Sequence, residues 1–158
     1  MITVCVFFDL SAEKVTAFST LLIAIATFVV GIPAYWQYKK NTEIRNTELL
    51  ISLYHKFFEN KGDLKVVRKW IDSVPVKNKE NFEKVKRDDE TFEEKFTDYL
   101  NFFQLMVVLK NSGQIQENEI RQMFHYYLKL IKQSDFIMAY LKTYDYKVLE
   151  EFLKKYQV

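Results

Sequence analysis

The sequence predicts an all-α fold, with one transmembrane helix near its N-terminal end followed by a bundle of five or six helices. Three observations carry this. The run from Val15 to Trp36, VTAFSTLLIAIATFVVGIPAYW, holds no charged residue, and at helical rise it reaches about 30 Å, the thickness of a bilayer's hydrocarbon core. Only three Gly and two Pro occur in 158 residues, which argues against a turn-rich β protein and for long helices. After Trp36 the chain is polar, with apolar residues recurring at helical spacing.

The segments follow in order. Residues 1–14 form a short N-terminal segment, apolar at first (MITVCVFF) and then charged at Asp9, Glu13 and Lys14. It lacks the basic leader and small-residue cleavage site of a secretory signal, so the segment is expected to be retained. Residues 15–38 are the transmembrane helix. Tyr35, Trp36 and Tyr38 belong at headgroup level, and Lys39, Lys40 and Arg45 follow them, against Lys14 alone beyond the other end. That asymmetry predicts an inner-membrane, single-pass protein with a cytoplasmic C-terminal domain, residues 39–158.

Within that domain, Thr42 to Asn60 carries Ile44, Leu49, Leu50, Leu53, Tyr54, Phe57 and Phe58 at helical spacing and can continue the anchor as a stalk. Asp63 suits the N-cap of a short helix with Leu64, Val67, Trp70 and Ile71. Ser73 to Asn81, SVPVKNKEN, reads as a loop. Beyond the charged KVKRDDE, Thr91 is expected to cap a longer helix with Phe92, Phe96, Tyr99, Leu100, Phe103, Val107 and Val108 on one face. Asn111, Ser112 and Gly113 end it. Asn118 to Gln133 reads as another amphipathic helix, and Ser134 and Asp145 as caps of two final short helices ending near Tyr156.

In the anchor, Ala17, Thr20, Ala24, Thr27, Gly31 and Ala34 recur at alternating steps of three and four, which gathers small residues in one stripe. Phe18, Leu21, Leu22, Ile25, Phe28, Val29, Ile32 and Trp36 fall elsewhere. Lipid supplies no hydrophobic drive between helices, so close approach along small side chains is a main source of association. The stripe predicts an oligomer interface or pore lining, with Thr20 and Thr27 as its polar positions. Pro33 removes a backbone donor and is expected to kink the helix near its cytoplasmic end.

The motifs of catalysis are sparse. Among candidates, Arg121 and His125 lie four apart on one helix, and His is the side chain suited to proton transfer near neutral pH. Small helical ribonucleases of the HEPN type carry an Arg followed by His with four to six residues between; here three intervene, and Phe124, Tyr126 and Tyr127 flank the histidine. His55 lacks Cys or carboxylate at ligand spacing, so no metal is expected. The acidic cluster Asp88, Asp89, Glu90, Glu93 and Glu94 lacks the Gly and alternating oxygens of a calcium loop and fits a solvated helix start. No phosphate loop, dinucleotide fingerprint or nucleophile with an evident base is present, so no cofactor is expected. Charges of 23 basic against 21 acidic residues disfavour nucleic acid as the main ligand. The single Cys5 excludes an internal disulfide.

The order of these features, from the YWQYKK edge through LYHKFFEN to DYLNFFQLMVVLKNSGQI and MFHYYLKLI, resembles a family of small bacterial single-pass membrane proteins with an uncharacterised helical domain. It is also similar to the pore-forming membrane accessory protein of type VI-B CRISPR systems. The resemblance implies a non-enzymatic, homo-oligomeric effector of anti-phage defence that permeabilises or depolarises the inner membrane, with Arg121 and His125 as relics of a nuclease ancestry. The alternative expectation is a membrane-tethered adaptor whose aromatic surface binds a cytosolic protein partner.

Overall fold

The structure, a computed structural model, describes residues 12–73 and 77–156, with side chains from residue 15 onward. Cys5 and the rest of residues 1–11 lie outside the described residues. Seven helices account for nearly all of what is described: α1 (Ala12–Phe58), α2 (Asp63–Ser73), α3 (Lys79–Asp88), α4 (Phe92–Asn111), α5 (Glu117–Gln133), α6 (Asp135–Thr143) and α7 (Lys147–Lys155). Among the described residues there is no strand, so the all-α expectation holds. The chain divides into two compact units between Arg45 and Asn46.

The first unit consists of α1 up to Arg45. It is helical although β-branched Val, Ile and Thr are frequent in it, and Ser19, Thr20 and Thr27, which would otherwise compete for the backbone, turn their hydroxyls onto the carbonyls of Val15, Thr16 and Ile23 at 2.8–2.9 Å. Pro33 lies inside α1 without ending it. Among the described residues one helix, α1, is long and apolar enough to cross a membrane; its most apolar window has a mean hydropathy of 2.3, and none of that window is buried.

The second unit is built around α4. Phe92, Phe96, Tyr99, Leu100, Phe102, Phe103, Met106 and Val107 are buried on it, a wider arc than one amphipathic stripe, as befits a helix covered on several sides. It packs along α2 and α7, while α6 lies against α5 and α7. The last turns of α1 deliver Phe57, which is fully buried among Tyr99, Phe102, Phe103, Phe124 and Tyr127 at ring-centroid distances of 4.9–5.8 Å. Both edge-to-face and offset arrangements occur there, the geometries that aromatic quadrupoles favour. Past Phe58, Arg68 Nη2 donates to the Glu59 carbonyl at 3.0 Å and Lys65 Nζ to that of Asn60 at 2.6 Å. Both bonds tie the turn after α1 to α2. Gly62 turns the chain with φ of +100°, a conformation costly for a side chain.

Several boundaries differ from the sequence expectation. The loop expected from Ser73 to Asn81 is interrupted at Lys79, where α3 begins. Asn78 caps it by accepting the Asn81 N–H at 2.9 Å, and Phe82, its one aromatic residue, is buried against Trp70, Phe92 and Phe96, with Val85 packed beside the core. A mostly charged segment thus becomes helical because its two apolar residues, Phe82 and Val85, are covered by the core. Thr91 stands at the N-cap of α4, yet its hydroxyl donates to Asp89 Oδ1 at 2.7 Å and makes no cap bond. Val108 is 46% exposed and does not join the buried face. Helix α5 starts at Glu117, one residue before Asn118, where Glu119 accepts the Gln116 N–H at 2.6 Å. Ser134 caps α6 as expected, accepting the Ile137 N–H and donating to the Lys77 carbonyl. Asp145 is not a cap: it takes the left-handed conformation, φ 62°, and α7 begins after Tyr146.

Truncating Phe57 to Ala leaves a ring-sized void between α4 and α5 and is expected to cost about 3–5 kcal/mol. Denaturant unfolding of the full chain, followed by helical circular dichroism, checks this against the exposed Tyr54→Ala, for which a change of about 0.5 kcal/mol or less is expected.

Candidate functional site

Two regions carry the residues singled out from the sequence. The first is the exposed surface of α1. At about 100° per residue, Ala17, Thr20, Ala24, Thr27, Gly31 and Ala34 fall within roughly a 100° arc of the helix. Phe18, Leu21, Leu22, Ile25, Phe28, Val29, Ile32 and Trp36 occupy the adjoining arc, each at least half exposed. A Cβ placed on Gly31 would meet nothing within 4 Å, so the helix backbone is open to close approach there. The hydroxyls of Thr20 and Thr27 are already bonded to their own helix, which lets them face an apolar medium without an unmatched donor. Tyr35, Trp36 and Tyr38 are 64–72% exposed at the end of the apolar run, with Lys39 and Lys40 exposed immediately after.

The second region surrounds Tyr156. Arg121 and His125, one turn apart on α5, both address this residue. The Arg121 guanidinium lies 4.7 Å from the centre of the tyrosine ring, and His125 Nδ1 shares a 3.0 Å hydrogen bond with its hydroxyl. Lys132, from the same helix, donates to the Tyr156 carbonyl. Arg121 also donates to Glu117 at 3.4 Å, and Glu117 pairs with Lys110 at 3.1 Å. Tyr156 itself is 1% exposed. The pair that the sequence offers for proton transfer therefore clasps the end of α7 onto α5, and burial raises the tyrosine's pKa. His55 is exposed and sits edge-on to Tyr54 at 6.2 Å. No group of three His, Cys, Asp or Glu is placed to hold a metal among the described residues.

Two carboxylates of the acidic cluster at the start of α4 are paired with lysines. Asp89 accepts from Lys95 at 2.7 Å and from the Thr91 N–H and hydroxyl, and Glu93 from Lys86 at 2.6 Å. The hydrogen bond from Lys95, then those from Thr91, hold the Asp89 carboxyl below its ordinary pKa. For Glu117 the bond from Lys110 does the same, ahead of Arg121.

Sequence reasoning missed a set of polar atoms in the interior. The Tyr99 hydroxyl, Arg68 Nε, Trp70 Nε1 and Gln104 Oε1 are buried with no hydrogen-bond partner. Burial pushes the Tyr99 phenol well up, so it stays neutral. Arg68 spreads its guanidinium over Phe57 and Phe58 at 5.2 and 5.1 Å. No local pattern marks these residues, because their surroundings come from distant helices. A cleft of about 440 Å³ also opens in the second unit, with Leu53, Phe102 and Leu105 on its walls and Lys56, Lys61 and Asp98 at its edge.

Among the described residues, fold and surface together define a class: an all-helical chain with one exposed helix long and apolar enough to cross a membrane. Among known proteins, no family model, curated protein or solved structure matches the chain.

Two measurements follow. Tyr156→Ala should cost about 3–5 kcal/mol in unfolding free energy, whereas Tyr156→Phe, which keeps the ring under Arg121, should cost about 1 kcal/mol. The depressed carboxyls of Glu117 and Asp89 stabilise the fold above the pKa they have when unfolded. That stability is lost as pH falls through their lower folded values, so the urea midpoint should drop below about pH 4. In Glu117→Gln the drop between pH 6 and pH 3 should be smaller than in the parent.

Proposed function

We propose that the chain is a non-enzymatic, single-pass membrane protein that self-associates through the small-residue stripe of α1. Its α1 oligomer forms a pore or otherwise depolarises the inner membrane, as an effector or accessory protein of anti-phage, CRISPR-associated defence, with the second unit cytoplasmic. The observation that carries the membrane part is the Val15 to Trp36 surface: uncharged, long enough to span, and exposed along its whole length. Exposing so many large apolar side chains to water is unfavourable at about 25 cal/mol per Å², and a bilayer removes that cost. The separation of small from bulky residues on two arcs supports the association. The basic Lys39, Lys40 and Arg45 edge supports the orientation. The engagement of Arg121 and His125 with Tyr156 supports the non-enzymatic reading. The defence role rests on the sequence resemblance.

A second reading is favoured by the cleft beside Leu53, Phe102 and Leu105: a membrane-tethered adaptor that receives an apolar side chain of a cytosolic protein partner.

Replacing Ala24 and Gly31 together by Leu fills the stripe. The detergent-extracted double variant is expected to run at monomer mass where the parent runs as an oligomer, and liposomes holding it should keep an ion gradient that the parent dissipates. An unchanged oligomeric mass would sink the stripe as an interface. Parent liposomes that remain tight would remove the pore and leave the adaptor.

A further inference from the structure

We draw no further inference here: the strongest candidate, the cleft of the second unit walled by Leu53, Phe102 and Leu105, has Lys56 and Lys61 beside Glu59, Asp63 and Asp98 on its rim, and nothing in the structure shows what covers it.

Discussion

The constraint on which the rest depends is the apolar surface of the longest helix, which among the described residues is left uncovered. Phe18, Leu21, Leu22, Ile25, Phe28, Val29 and Ile32 are each at least 50% exposed, and contiguous apolar patches of this kind are rare on soluble monomers. Within a helix every backbone group is satisfied, which is the condition for leaving water. Its Ser and Thr hydroxyls meet the same condition by bonding back to the carbonyl one turn earlier.

The second unit solves the opposite problem. Four of its helices are short, α2 and α3 having 11 and 10 residues and α6 and α7 nine each, too short to hold their shape alone in water. They are held by aromatic rings. One cluster centres on Phe57 between α4 and α5; another gathers Trp70, Phe82, Phe92, Phe96 and Tyr140 from four helices. Rings bury much area for little lost rotamer freedom, which suits a unit that must fix four short helices against two longer ones. Arg68 is the polar member of this arrangement, its guanidinium lying over two of the rings and donating to the turn after α1.

The clasp at Tyr156 shows how a catalytic-looking pair can have a structural task. Arg121 and His125 are separated by one helical turn, a spacing that brings two side chains to a common target whatever the target is. Sequence gives the spacing but not the target. Here the target is an aromatic residue of the same chain, and the ring, hydroxyl and carbonyl of Tyr156 each receive a different cation or ring from α5.

What the sequence by itself determined is whatever depends on local period and local composition. The membrane-length run, the separation of small and bulky residues in it, the Ser134 cap, and the helices around Leu64, Phe92 and Ile120 are all set by neighbours within a few turns. The tertiary structure decided what depends on distant partners. Helix α3 exists because Phe82 and Val85 are covered by the core, and Asp145 takes a left-handed turn where a local reading gives a cap. Tyr99, Arg68, Trp70 and Gln104 carry buried polar atoms that no local pattern signals. The physical reason is the same in each case: burial is a property of the surface opposite, and that surface comes from another part of the chain.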